Sequence, residues 1–286
     1  VVCALALVPA PSRAQTPIQE VRDVASDVVV EVENLAGSIR VSCWAQNQVE
    51  ITGTLGRGTE ELEVEGDARR LHIEVELPRR AHGVDGSDLE LRVPVGASLE
   101  VESVSADISV LNCQGKLELE SVSGRVEVSG TPARLDATSV SGDVAVAVAP
   151  SGAQLESVSG DVLVERASGE LEASSVSGAV RIEGGHLHSA ELATTSGPIF
   201  CAAGFEGHGT LDMESTSGAI TLVVAADVAA EFELSTFSGT IRNQIGPEPE
   251  RTSRFTPGSE LLFTAGSGGP RVSVETFSGA IELKTR

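Results

Sequence analysis

The chain has 286 residues, with 42 Asp+Glu against 20 Lys+Arg, a formal net charge of −22 at pH 7, no Tyr, one Trp and seven Phe. That balance argues against nucleic acid and anionic membrane surfaces as partners, because phosphate binding needs a concentrated basic face. It is compatible with cations, basic proteins and cationic peptides, and no later apolar run approaches the roughly 18 residues that would insert directly into a membrane as a helix.

Val1 to Val8 is a short apolar run broken by Pro9, and Ser12-Arg13-Ala14 places small residues three and one positions before a cleavage point. This reads as the end of a signal peptide, residues 1–14, and predicts a secreted, periplasmic or cell-surface protein; a disordered N-terminal tail is the alternative. Residues 15–98 carry strand-like stretches (VVVEVEN, QVEITGTL, ELEVEG, LHIEVELP, LELRVP) without a tight period. They are expected to form an irregular β cap over an otherwise open solenoid end, with Trp44 in the cap's core.

From residue 99 one unit returns. Leu99 to Val110 recurs as Leu117 to Val128 (LELESVSGRVEV), Leu135 to Val146, Ala153 to Val164, Leu171 to Ile182, Ala190 to Cys201, Leu211 to Leu222 and Phe232 to Asn243. The last copy is Val272 to Leu283, and a divergent first copy is Val30 to Val41. Corner residues Ala106, Gly124, Gly142, Gly160 and Gly178 are 18 apart, Gly197, Gly218 and Gly239 follow at 19, 21 and 21, and Gly279 lies 40 further on. That last gap leaves room for one degenerate turn with a loop insertion at about 244–271. Within each copy apolar and polar residues alternate on both sides of a Ser-x-Ser-Gly corner, the period of half-buried strands. A repeat of 18–21 residues suits one turn of a solenoid in which like strands stack in parallel. The reading is an all-β protein, a single-stranded right-handed β-helix or β-solenoid spanning 99–286; a sandwich of hairpins closed by the same corners is the runner-up. Phe237 and Phe277, which replace Val at the corner, are expected to seal the C-terminal end.

The run LRVPVGASLEVESVSADISV, the repeated SVSGDV corners and the closing GSGGPRVSVETFSGAIEL resemble the bacterial "putative adhesin" family of unknown function. The likeness covers nearly the whole mature chain. It implies a signal, an irregular β cap, a Ser-Gly-rich solenoid and a surface or envelope location, and it brings no catalytic residues. The chain departs from the family's Ser-Gly-Asp corner at Ala106, Arg125, Ala179, Pro198, Ala219, Thr240 and Ala280.

Stacking turns equivalent positions into rows about 4.8 Å apart. The second residue of each copy then forms the row Glu100, Glu118, Asp136, Gln154, Glu172, Glu191, Asp212, Glu233, and two residues on come Glu102, Glu120, Thr138, Glu156, Ser174, Ala193, Glu214 and Ser235. Hard cations favour arrays of carboxylate oxygens, so Glu100, Glu118, Asp136 and Glu172, with Asp143 and Asp161 after their corner glycines, form a candidate Ca²⁺ ladder or basic-partner face. The plainer account is a solvated face that keeps the protein from aggregating. Arg125, between Asp107 and Asp143, is expected to neutralise its neighbours. The serine rows lack the adjacent base that a nucleophile requires and read as corner hydroxyls bonded to backbone. His186 and His188, with His208 one turn above, allow a zinc site or plain solvent exposure, whereas His72 and His82 stand apart. Cys43, Cys113 and Cys201 remain after export; Cys43 and Cys113 form either a disulfide or two buried thiols.

These features point to a non-catalytic extracytoplasmic module, an adhesin or envelope scaffold that presents an acidic face to cations or a basic partner. An envelope-stress or signalling accessory is the alternative. A polysaccharide-acting β-helix enzyme fits less well, because its carboxylates would be clustered in a cleft rather than evenly repeated.

Overall fold

A computed structural model describes residues 16–78, 84–147, 152–252 and 257–286. The proposed signal segment, His82 and part of the 244–271 insertion lie outside the described residues. The described chain is built from strands, and the Ser-x-Ser-Gly corners join the two walls of a solenoid instead of closing hairpins. Strand Ser98–Ser103 stacks in parallel on Lys116–Ser121, which stacks on Arg134–Ser139, in the register Leu99, Leu117, Leu135. After the corner, Asp107–Leu111, Val126–Ser129 and Val144–Ala147 form the second wall in the same way, with Ile108, Val126 and Val144 aligned. Strands Val162–Ser175, Val180–Thr194 and Ile199–Ser215 run continuously through the second wall, a short third side and the next first wall.

The inward rows explain why the turns fit. On the first wall the rungs read Leu117/Leu119, Leu135/Ala137, Ala153/Leu155, Leu171/Ala173 and Ala190/Leu192, all buried. From Leu135 to Leu192 a small residue at one inward position accompanies a large one at the other, so side-chain volume stays nearly constant over those four turns, as close packing of a narrow interior requires. The second wall answers with Val126/Val128, Val144/Val146, Val162/Val164 and Val180/Ile182. Each fully buried Val or Leu is worth about 1.5–3 kcal/mol relative to exposure, and the several large aliphatic residues of each turn offset the ordering of a short turn that could not bury them alone.

Both ends of the stack depart from chain order. The divergent first copy is not outermost: Val29–Asn34 lies between Arg70–Val75 and Ser98–Ser103, and Gly37–Trp44 lies between Ser87–Pro94 and Asp107–Leu111. The last copy is likewise interior. Arg271–Thr276 lies between the Leu211 turn and Ala230–Thr236, and Ile281–Thr285 lies between Ile220–Val224 and Ile241–Asn243. The reason is the degenerate turn: Ser259–Ala265 folds back antiparallel on the outer side of Ala230–Thr236 and carries the two-residue strand Glu250–Arg251. The chain then returns to the slot left between two earlier copies. At the other end Leu62–Gly66 covers Arg70–Val75, and Thr16–Asp23 covers Gln48–Leu55, again antiparallel. The first wall thus ends in antiparallel segments on both sides and the second on its N-terminal side, which limits the open edge available for aggregation; on the C-terminal side the second wall ends in the three-residue parallel strand Ile241–Asn243. Trp44 is not in a cap core: it is half-buried at the end of its strand, donates from Nε1 to the Gln48 carbonyl at 2.9 Å, and has Arg92 5.7 Å over its ring.

The corner is the most repetitive piece of chemistry. The first serine of each Ser-x-Ser-Gly points inward, and its hydroxyl accepts the N–H of the glycine three residues on: Ser121 from Gly124 at 2.9 Å, Ser139 from Gly142 at 2.9 Å, Ser157 from Gly160 at 3.0 Å and Ser175 from Gly178 at 3.0 Å. Ser157 and Ser175 also donate to the corner carbonyl one turn below, Gly142 O at 3.2 Å and Gly160 O at 3.0 Å. The glycines are required by close approach: a Cβ on Gly160 would overlap the Gly142 carbonyl oxygen, and one on Gly178 the Gly160 oxygen. At the N-terminal end, Cys43 and Cys113, 70 positions apart in sequence, form a disulfide with Cα atoms 5.0 Å apart, tying the first copy to the turn stacked on it.

Two predictions follow from the corner and the bridge. Gly160→Ala should cost about 1–3 kcal/mol through overpacking, and Ser157→Ala a similar amount because it strands a buried N–H. The exposed Ser159→Ala should stay within about 0.5 kcal/mol; urea denaturation of the three variants checks the order. The double variant Cys43→Ser/Cys113→Ser should lose about 2–4 kcal/mol, and a reductant should lower the melting temperature of the wild type but not of the variant.

Candidate binding face

The first wall turns its polar residues outward in two rows. One contains Glu31, Glu100, Glu118, Asp136, Gln154, Glu172, Glu191 and Asp212, and then Ser273 before Glu233, because the last copy inserts there. The other runs Glu33, Glu102, Glu120, Thr138, Glu156, Ser174, Ala193, Glu214, Glu275 and Ser235 on the same strands. The predicted members Glu100, Glu118, Asp136 and Glu172 therefore share one row. Asp143 and Asp161 lie beyond the corner, on the second-wall side, where each does a different job. Asp107, Asp143 and Asp161 accept through Oδ1 the backbone N–H of the residue 18 on: Arg125 at 2.9 Å, Asp161 at 3.0 Å and Ala179 at 2.7 Å. The second oxygen of Asp143 meets Arg125 Nη2 at 2.8 Å, so Arg125 does neutralise its neighbour.

Basic residues that composition alone did not place intersperse the first row. Arg70 pairs with Glu31 and reaches Glu100 at 3.5 Å, Lys116 Nζ meets Glu118 at 2.7 Å, Arg134 Nε meets Asp136 at 3.1 Å and Arg271 meets Glu233 at 2.8 Å. Each of Lys116, Arg134 and Arg271 is two residues from an outward carboxylate on its own strand or the neighbouring one, a same-face spacing visible in the sequence. The hydrogen bond to Glu118 holds the Lys116 ammonium above its ordinary pKa, against desolvation in the opposite sense, and the hydrogen bond to Asp136 does the same to Arg134. Glu191 and Asp212 carry no ion pair among the described residues. His72 continues the row below Glu31, 3.5 Å from both Glu31 and Glu74.

Among the described residues no group of three or more His, Cys, Asp or Glu is gathered as a metal ion requires. His186 and His208 line a cavity of about 420 Å³ with Phe205, Val228 and Pro270, and His188 is not part of it. Cys201 is fully buried where its neighbours carry Val, Ile or Leu, and burial pushes its thiol up to about 11, so it packs as a small apolar side chain.

Between the second outward row and the protruding corners runs an open groove of about 610 Å³, lined by Glu156, Val158, Val176, Glu214, Phe237 and Phe277 among others. The two phenylalanines do not seal the C-terminal end. They are 54% and 57% exposed and stack on each other, with centroids 4.8 Å apart and planes 9° apart. Strand parity explains the correction: the first corner serine or threonine points inward, so the residue after it must point out.

Solved structures to which the chain shows some similarity include the "putative adhesin" of Bacteroides fragilis NCTC 9343, 13% identical over 96% of this chain and 99% of that one, with a TM-score of 0.47. Another is the "putative adhesin" of Parabacteroides distasonis ATCC 8503, 12% identical over 94% and 97%, with a TM-score of 0.40. No curated protein matches the chain. The Toastrack DUF4097 family model matches residues 25–200 and 177–284, together almost the full length of the solenoid, and the chain belongs to that family.

Proposed function

We propose that the chain is a non-catalytic extracytoplasmic module, an adhesin or envelope scaffold, whose first-wall face binds a basic partner or a cation. The observation that carries this reading is the in-register row of outward carboxylates on a wall held rigid by backbone bonding from turn to turn. Like charges stacked one strand spacing apart repel, more in low salt than in high. The four basic side chains interspersed in the row relieve that repulsion only locally. A ligand that brings positive charge to Glu172, Glu191 and Asp212 is therefore favoured by the field the fold has already assembled. The Cys43–Cys113 bridge supports an oxidising compartment, where disulfides persist, and no helix of the described residues is long and apolar enough to cross a membrane.

The test uses the full chain and poly-lysine as the basic probe. Wild type should bind it with an affinity that falls steeply as NaCl rises, and Glu100→Gln/Glu118→Gln/Asp136→Asn/Glu172→Gln should bind at least tenfold more weakly with its melting temperature retained. Equal binding by that variant would overturn the reading of this face. In a parallel thermal melt, millimolar Ca²⁺ should raise the melting temperature if the carboxylates of Glu100, Glu118, Asp136, Glu172, Asp143 or Asp161 take the cation; an unmoved midpoint removes Ca²⁺ and leaves the basic partner.

A further inference from the structure

Among the described residues, eight of the eleven exposed large apolar side chains lie in one file; Val21, Leu111 and Leu262 stand elsewhere. Leu35, Val104, Val122, Val140, Val158, Val176, Thr195, Thr216, Phe277 and Phe237 form a single file along the whole solenoid. Their order is set by one repeated bond, in which the N–H of the following serine donates to the carbonyl of the file residue one turn below: Ser105 to Leu35, Ser123 to Val104, Ser141 to Val122, Ser159 to Val140 and Ser177 to Val158. The bond continues from Ser196 to Val176, Ser217 to Thr195, Ser278 to Thr216 and Ser238 to Phe277. The five valines are each 44–46% exposed. The corner itself does not need them, since Thr195 and Thr216 occupy the same position with the same backbone bonds. An aligned apolar stripe that folding does not require is the mark of an interaction surface.

The stripe forms one side of the groove, and the outward row beside it forms the floor. Toward the N-terminal half that floor is carboxylate at successive turns, Glu33, Glu102 and Glu120. Within the groove small neutral residues interrupt it: Glu156 stands between Thr138 and Ser174, and Glu214 and Glu275 stack as a pair between Ala193 and Ser235, so the acids fall in two groups with a neutral stretch between them where a chain can approach. From Val158 to Phe237 there are six registers, about 24 Å at the spacing of stacked strands, the reach of about seven extended residues. Val158 and Val176 offer apolar contact at one end of that length and the Phe237–Phe277 stack at the other, with Thr195 and Thr216 between them.

From these features we infer that the groove docks a cationic amphipathic polypeptide segment, its apolar side chains on Val158, Val176, Phe237 and Phe277 and its Lys or Arg on Glu156, Glu214 and Glu275. Charge complementarity selects this occupant. A second copy of this chain would bring another formal −22 and its own carboxylate row against the first. The inference rests on the proposed basic partner and deepens it, by assigning the partner an apolar component and a different stretch of the surface from Glu100, Glu118, Asp136 and Glu172.

The experiment measures binding of three synthetic twelve-residue peptides to the full chain at 150 mM NaCl, by fluorescence anisotropy: Lys/Leu, Lys/Ser of the same charge, and Glu/Leu. Lys/Leu should bind and the other two should bind at least tenfold more weakly. Val158→Ser/Val176→Ser and, separately, Phe237→Ser/Phe277→Ser should each weaken Lys/Leu binding at least tenfold with the melting temperature nearly unchanged, because these side chains are exposed. Glu156→Gln/Glu214→Gln/Glu275→Gln should weaken it and flatten its salt dependence. If both stripe variants bind Lys/Leu like wild type, while the quadruple carboxylate variant of the first wall still loses poly-lysine, the groove is overturned and the acidic face stands. If wild type binds neither Lys/Leu nor poly-lysine, both readings fall. Sedimentation showing a wild-type dimer that Val158→Ser/Val176→Ser dissociates would overturn the inference in favour of a second copy.

Discussion

Two contacts recur at successive corners: an inward hydroxyl bonded to the glycine N–H three residues on, and a glycine whose Cα face lies directly against the carbonyl of the corner beneath. The first satisfies a buried donor that a tight turn would otherwise strand. The second sets how closely successive turns approach, because a Cβ there would push the corners apart and break the ladder on both walls. Register between turns follows from these contacts, and with it the alignment of the inward Leu/Ala rungs and of the outward rows. Among the described residues no buried side-chain nitrogen or oxygen lacks a partner. Thr194, Ser215, Thr236 and Thr276 keep the hydroxyl where the later copies diverge. The asparagine at the corner of the first copy, Asn34, instead bonds across to the Ser87 carbonyl at 2.9 Å.

Much of this was legible before any coordinates. The 18-residue spacing of Gly124, Gly142, Gly160 and Gly178 gives the registry of the array, and the alternation within each copy gives the inward and outward sets. The order of turns at the two ends was not legible, for a physical reason. Every copy offers nearly the same edge, so sequence similarity says that Val272–Leu283 is a turn and does not say between which turns it sits. Its slot is decided by what the preceding 28 or so residues do, and Ser259–Ala265 occupies the outer edge first in space. The same degeneracy moves Val30–Val41 against Leu99–Val110, about seventy residues away. Phe237 and Phe277 read as buried because they are aromatic, whereas strand parity dictates exposure. The candidate face was legible as rows but not as a balance of charge: Arg70, Arg134 and Arg271 take their partners from geometry on the outer face, and Asp143 and Asp161 are engaged by backbone donors.

The interleaved ends give the fold a cohesion that a simple stack lacks. In a linear array the outermost copy has one neighbour and frays first. Here the first and the last copies in the chain each have a neighbour on both sides, and the outer positions fall to antiparallel segments and to the short strand Ile241–Asn243. The disulfide acts on the same seam, between the first copy and the turn that reaches it across the longest N-terminal gap. Closing such pairings costs loop entropy before they return any burial, which favours a sequence in which the regular array from Leu99 to Leu222 forms first and the end copies dock onto it.

Because the inward positions and the corner hydroxyl are committed to holding turns in register, variation without loss of fold is left to the outward rows and to the residue between the two corner serines. That middle position is Val in five successive turns, Thr in two and Phe in two, while its backbone bonds stay the same. A position whose side chain changes from Val to Thr to Phe with no change in the surrounding bonding is not being set by the fold. In this chain the changes are ordered along the axis: valine from Val104 to Val176, threonine at Thr195 and Thr216, and phenylalanine at Phe277 and Phe237. The file thus differs at its two ends, aliphatic at one and aromatic at the other, which gives the surface a direction and distinguishes those ends for whatever binds there.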